Sequence, residues 1–282
     1  MTESRARPKR RSPLATTLAR LAAVEDGGPA LSAHIGLPAD TGWTGCADLA
    51  GDDAHLDDLL ERVGRSYGSG DRAVAGSLFL RAYLWPILVP AVAAFLVDRR
   101  VPDVGAANVA LRFDERGRAD GVAFLEGRFA VLGGNEAAGA AGAVVLASED
   151  EMTAWLGEGL AEAHVPGLFA ALRRCGVRRS ERALWGMVAD LVAEAFGWAG
   201  PVLDLEHEAR AFAEGMLDGS PHIPGKANHL TLVRDGVPVR TRLKNACCLY
   251  YRVGDAPCPT CPRAMRREHS GRPATRGTEG KG

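Results

Sequence analysis

Apolar positions near the start of the chain recur at helical spacing, first at Leu14, Leu18, Leu21 and Ala22 and again at Leu56, Leu59, Leu60 and Val63. This predicts two amphipathic helices, separated by a Gly/Pro/Asp-rich stretch that runs to about residue 53. From Asp71 the pattern turns apolar on every side and stays so to residue 97, as expected of a helix buried around its whole circumference. That stretch approaches membrane-span length, but Arg81, Pro86 and Pro90 interrupt it, so a proline-kinked core helix is the better reading. Further on, Ser148 and Glu151 stand in capping-box spacing ahead of Met152, Trp155, Leu156 and Leu160. The stripes Leu184, Val188, Leu191, Val192, Ala195 and Leu205, Ala209, Phe212, Ala213, Met216 predict two more core-facing helices.

Between these helices the period shortens. Val109, Leu111 and Phe113 alternate, a turn follows at 114–117, and short runs at 121–125 and 129–132 complete what reads as a small antiparallel sheet. Residues 133–142 are rich in Gly and Ala but match no phosphate-loop fingerprint, so they read as a flexible connection. Near the C-terminus two strand-like runs, 229–234 and 237–243, flank Asp235-Gly236, a strong hairpin signal. The expected class is therefore α+β, predominantly helical with a small antiparallel sheet and a C-terminal hairpin leading into a four-cysteine loop. The expected organisation is a disordered basic arm (1–13), a mostly helical scaffold (14–245), a cluster-binding segment (246–267) and a disordered tail (268–282).

Composition alters this picture in one respect. The formal net charge of −1 is unevenly spread: both ends are basic, the N-terminal one through Arg7, Lys9, Arg10 and Arg11, and the body between them is acidic. The basic arm is not followed by a continuous apolar core and so does not read as a targeting signal. With 6% aromatic residues and an acidic body, broad nucleic-acid contact is not expected.

The chemistry lies in the cysteines. Cys46 and Cys175 are isolated and read as buried apolar thiols, whereas Cys247, Cys248, Cys258 and Cys261 fall within fifteen residues. Four thiolates gathered by a short loop select zinc, an iron–sulfur cluster or Cu(I). Zinc sites favour two turns of the Cys-x2–4-Cys type, and only Cys258 to Cys261 has that form. Cys247 and Cys248 aim their sulfurs apart in an extended chain unless the backbone bends, and a two-iron cluster, wider than one ion, tolerates such a pair better. A thioredoxin-type dithiol at Cys258-Pro259-Thr260-Cys261 lacks the preceding βαβ unit. Spacing alone thus favours iron–sulfur over zinc, and zinc over a dithiol, with a zinc-stabilised binding module without redox activity as the alternative.

A hairpin, an Arg-rich strand ending in Cys-Cys-Leu-Tyr-Tyr-Arg and a nearby Cys-Pro-Thr-Cys-Pro resemble the FhuF-like ferric siderophore reductases. The likeness extends loosely upstream through 78–96, with its Tyr-Leu-Trp-Pro, and through Leu184-Trp185-Gly186. The resemblance implies a [2Fe–2S] cluster held by Cys247, Cys248, Cys258 and Cys261. It also implies one-electron reduction of a ferric siderophore, of hydroxamate type, in the cytoplasm, using electrons from an unidentified donor; the interruptions at Arg81, Pro86 and Pro90 add the expectation of no stable membrane insertion. The family spaces its two pairs by ten residues where this chain has nine, a difference that a loop containing Gly254 and Pro257 absorbs.

A closed four-cysteine shell suits electron transfer rather than hydrolysis. Arg240, Arg242, Lys244, Arg252, Arg263, Arg266 and Arg267 are placed in sequence to ease reduction of an anionic cluster, or to form a solvated basic edge. Tyr250 and Tyr251 are positioned to cover it from water or to pack in the core. His207, His222 and His229 are nearby in sequence but, as lone histidines, are left out of the site.

Overall fold

The computed structural model of the protein describes residues 12–234, 237–254, 256–258 and 260–269. The basic arm up to residue 11, the Asp235-Gly236 turn and the tail from residue 270 lie outside the described residues.

Helices α1 (Pro13–Leu21), α2 (Cys46–Gly51), α3 (Asp53–Ser66) and α4 (Arg72–Asp98) form the first part, with short strands β1 (His34–Ile35) and β2 (Trp43–Gly45) between α1 and α2. Side-chain caps start three of the four: Ser12 accepts the Ala15 N–H, Asp52 that of His55 and Asp71 that of Ala73. α4 runs through both Pro86 and Pro90, and its Phe79, Tyr83, Leu84, Ile87, Leu88 and Phe95 are fully buried.

β3 (Arg100–Pro102), β4 (Val109–Phe113), β5 (Ala119–Phe124), β6 (Phe129–Leu132) and β7 (Ala143–Leu146) follow. The single antiparallel sheet expected over 108–132 is in fact two sheets. One has the order β1-β5-β4-β2, with β1 parallel to β5; the other has the order β3-β6-β7, with β6 parallel to β7. β6 leaves the first sheet because its Phe129, Ala130 and Val131 pair with β3 at the end of α4, a long-range partner that no local pattern reveals. The Gly/Ala-rich connection leads directly into β7, which the sequence reading did not include.

Helices α5 (Glu149–Ala161), α6 (Val165–Arg174), α7 (Glu181–Val202) and α8 (Glu206–Leu217) come next. Ser148 caps α5 by accepting the Glu151 N–H, while the Glu151 carboxylate reaches back one residue further than a capping box requires, to the Ala147 N–H. α4 packs on α7, α3, α1, β3 and β5, and α7 packs on α8, so α4 is the central element. Its apolar circumference is thus enclosed by the rest of the fold. The hairpin of β8 (His229–Arg234) and β9 (Val237–Arg242) pairs as expected, with Leu230 opposite Thr241 and Leu232 opposite Val239. A short helix, α9 (Pro262–His269), closes the described chain; the sequence reading had no helix here.

One polar chain crosses this core. The His164 ring faces the Val104 carbonyl through Nδ1 at 2.7 Å, so Nδ1 carries the hydrogen and Nε2 accepts from the Tyr83 hydroxyl at 2.6 Å. The Cys46 thiol lies against that hydroxyl, and burial pushes it up to about 12. Cys46 is therefore an inert core thiol as expected. Cys175 departs from expectation: it is only half-buried, with its sulfur 3.5 Å from the Asp53 carbonyl.

Candidate metal centre and its cleft

The strand that delivers the cysteine pair is fixed before it reaches them. Asp190, on the buried face of α7, accepts from Arg242 Nη2 at 2.6 Å, from the Asn245 N–H at 2.8 Å, from Asn245 Nδ2 at 2.9 Å and from the Ala246 N–H at 3.1 Å. Burial lifts this carboxyl above the ordinary aspartate range, and Arg242 with the two amides pulls in the opposite direction. One turn earlier on α7, Gly186 lets this segment come close: a Cβ there would stand 3.0 Å from that of Ala246. This gives a steric role to the glycine of Leu184-Trp185-Gly186.

The backbone bends where the vicinal pair requires it. Leu249 takes the left-handed conformation (φ 63°), an unusual one for a branched side chain, and its side chain is buried. The turn aims the Leu249 N–H at the Cys247 sulfur and the Tyr250 N–H at the Cys248 sulfur. Backbone N–H donors directed at sulfur favour the thiolate. The second pair comes up from the other side. Cys258 hydrogen-bonds to Cys248, and the Cys261 N–H donates to the Cys258 carbonyl at 2.9 Å. Cys261 is buried directly ahead of Pro262, the first residue of α9, and the Lys244 N–H reaches the Thr260 carbonyl at 3.3 Å, tying the two pairs together.

The four sulfurs lie within electrostatic reach of one another: Cys247 feels Cys261 and Cys248, and Cys258 feels Cys248 and Cys261. The hydrogen bond from Cys258 lowers the Cys248 thiol to about 6, helped by Tyr250 N–H and Lys244 against burial, while the same bond and burial push Cys258 up. Burial pushes the Cys247 thiol up, with the Leu249 N–H opposing. Among the described residues no three His, Cys, Asp or Glu side chains close tightly enough to hold one metal ion.

The surrounding cations divide in a way the sequence does not reveal. Lys244 acts on both Cys248 and Cys258, and its Nζ is 2.5 Å from Glu194. Arg263 acts on Cys247 and lies over the Tyr251 ring at 4.4 Å. Arg242 pairs with Asp190 and, at 3.7 Å, with Glu194, and Arg252 pairs with Asp71 at 2.5 Å; neither is among the groups that act most on the cysteine thiols. The side chains of Arg266 and Arg267 lie outside the described residues. The cation that sequence reasoning missed is Arg179, just ahead of α7. Its Nη2 donates to the Cys247 carbonyl at 2.6 Å, and its Nε is a buried donor with no partner in the structure. Burial holds this guanidinium below the ordinary arginine range, and Cys247 and Cys248 oppose that shift.

Beside the cysteines opens a cleft of about 680 Å³, within the size range of small-molecule sites. Cys248 and Cys258 contribute to its wall, with Lys244 and Arg240 from the hairpin side. The opposite side is made by Trp85 and Trp198, their rings edge-to-face at 6.1 Å, and by Arg81, which lies 5.2 Å over Trp85 and pairs with Glu194. The charged residues that break the apolar patterns of α4 and α7, Arg81 and Glu194, were the available signal for this cleft. Tyr250 also lines it and meets Tyr67 edge-to-face at 6.2 Å, whereas Tyr251 packs toward the core. His229 is in the wall as well; His222 instead faces Glu158 on α5 and Glu162 just past its end, at 3.6 Å each.

Residues 77–250 match the family model of ferric iron reductase FhuF-like transporters. The chain belongs to this FhuF-like family. The match begins within α4, takes in α7, the hairpin and Cys247-Cys248, and ends before Cys258 and Cys261. Membership supports a role related to ferric siderophore reduction. No curated protein matches the chain.

Proposed function

We propose that the protein is a [2Fe–2S] ferric siderophore reductase whose cluster is held by Cys247, Cys248, Cys258 and Cys261. The observation that carries this is the cleft wall: a roomy pocket with an aromatic side opens onto two of the four gathered cysteines. The donor set fits the group. The four thiols lie within reach of each other, N–H donors are directed at two of the sulfurs, and the buried, unpartnered Arg179 Nε beside Cys247 suits an anionic acceptor.

When bound, such a cluster supplies single electrons and, with four cysteine ligands, no open coordination position. The protein's own residues do the rest. Trp85 and Trp198 offer flat apolar surface to the chelate, and Arg240, exposed at the rim, attracts anionic groups. The Arg81–Glu194–Lys244 ion-pair chain joins this wall to Cys248 and Cys258. Hard oxygen chelators of the hydroxamate kind hold Fe(III) far better than Fe(II), so one added electron frees the metal. We place the reaction in the cytoplasm and without membrane insertion. α4 is long and apolar enough to cross a membrane, but its enclosure by α7, α3, α1 and the strands supports a core role.

The test is anaerobic purification with iron, sulfide and zinc analysis, followed by mixing the dithionite-reduced protein with a ferric hydroxamate chelate. A brown protein with two irons and two sulfides that yields Fe(II) supports the proposal. A colourless protein with one stoichiometric zinc overturns it.

A further inference from the structure

We infer that His229, held by Glu214, is the proton donor that a ferric chelate meets in this cleft; the inference rests on the chelate-reductase reading above. His229 opens β8 and lines the same cleft as Cys248, Cys258 and Trp85. Its Nδ1 is 2.9 Å from Glu214 Oε1 on α8. Arg210 hydrogen-bonds to that same oxygen at 3.1 Å and holds the Glu214 carboxyl below the usual glutamate range, with the His229 bond adding to the effect and burial opposing it. An ionised carboxylate only accepts, so the hydrogen on Nδ1 is fixed and the exchangeable proton is carried on Nε2. That nitrogen has no hydrogen-bond partner among the described residues.

Glu214 on α8 is bonded to the ring, and the charged groups that line the cleft with it are Glu206 and Arg210 on α8, Arg240 and Arg242 on β9, Lys244 just beyond β9, Asp190 and Glu194 on α7, and Arg81 on α4. Arg242 stands opposite His229 in the hairpin register. Arg242 is taken up by Asp190 and Arg210 by Glu214, leaving Arg240 as the cation without an ion-pair partner among the described residues. Histidine is the side chain that ordinarily exchanges a proton between about pH 5 and 8.

The chemistry calls for such a group. Each hydroxamate binds iron through an anionic oxygen. As one electron from the reduced protein converts Fe(III) to Fe(II), the Nε2 proton passes to that oxygen, an O–H bond forms, and the Fe–O bond breaks. His229 is left neutral and takes its next proton from water. One electron and one proton enter the chelate, and a hydroxamic acid arm leaves the iron.

His229→Gln keeps a polar side chain but cannot carry the charge. Single-turnover transfer from dithionite-reduced protein is measured between about pH 5 and 8 with a ferric hydroxamate and, separately, with ferricyanide, which takes an electron without breaking a metal–ligand bond. The wild-type chelate rate should fall as pH rises, and the variant should be slower by about tenfold or more at the acid end, with a flat profile. Its ferricyanide rate and its affinity for the redox-inert Ga(III) chelate, read by tryptophan fluorescence, should hold. A variant that keeps the wild-type chelate rate and profile overturns the inference, as does an equal loss on ferricyanide, which marks a structural effect. A wild-type protein that reduces ferricyanide but no ferric chelate at any pH overturns the reductase reading itself.

Discussion

Asp190 and Arg242 form a buried ion pair, Oδ1 to Nη2 at 2.6 Å, between the middle of α7 and the last residue of β9. Both side chains are under one-tenth exposed, and the same carboxylate holds the amides of Asn245 and Ala246 just ahead of the cysteine pair. Scaffold and cysteine loop are therefore joined at one charged point.

Removing that point by Asp190→Ala leaves the buried Arg242 with only its longer contact to Glu194, at 3.7 Å, at a cost of about 3 kcal/mol. Denaturant unfolding should show this loss. The double variant Asp190→Ala/Arg242→Met should recover part of it, since the unpaired charge is gone. Iron content should stay low in both, because the Asn245 and Ala246 amides have lost their acceptor.

Arg179 touches the Cys247 backbone and carries an unpartnered buried Nε. If the proposed cluster is present, Arg179→Met removes a cation that would favour its more negative reduced state, so the midpoint potential should move down by roughly 60 mV or more, one factor of ten in the equilibrium constant for a one-electron couple. Spectroelectrochemical titration measures it. An unchanged potential with intact absorbance would assign Arg179 a purely packing role.

Burial holds His164 at about 4, from an ordinary 6.5. Between those values the unfolded chain binds the proton and the folded one does not, so the contribution is full above about 6.5 and is lost as pH falls toward 4. It amounts to roughly 3 kcal/mol for a group this deeply buried. Urea midpoints measured down this window should fall more steeply for the wild type than for His164→Gln.

Gly186 has no space for a branched side chain, with Ala246 Cβ 3.0 Å and Asn245 Cβ 3.3 Å from where its Cβ would lie. Gly186→Val should cost about 1–3 kcal/mol by overpacking. It should also lower iron occupancy, because the segment it displaces leads into Cys247. Calorimetry and iron analysis on the same preparation separate the two effects.

Much of the scaffold is legible in local pattern. The stripe from Leu184 to Ala195 and the all-round apolar run of α4 depend only on which residues repeat at helical spacing. The hairpin depends on two short runs around a two-residue turn. The strand partners were not legible, because β6 pairs with β3, on the far side of β4 and β5 in the chain, only after α4 has brought its own end into place. Nor were the roles of the arginines. Arg242 ends β9 and Lys244 follows two residues later, yet one is held chiefly by Asp190 and the other by Glu194 beside the cysteines.

By itself the sequence determined the helical character, the hairpin and the gathering of Cys247, Cys248, Cys258 and Cys261 into one short segment, because periodicity, turn chemistry and loop length are local properties. The tertiary structure decided that Leu249 turns the chain so that backbone amides meet the sulfurs, that Arg179 stands behind them, and that α4 and α7 supply Trp85, Trp198 and Glu194 for a cleft in front. Those groups lie far from the cysteines in the chain. Only the packing of α7 on α4 and on the Asp190-held strand brings them together.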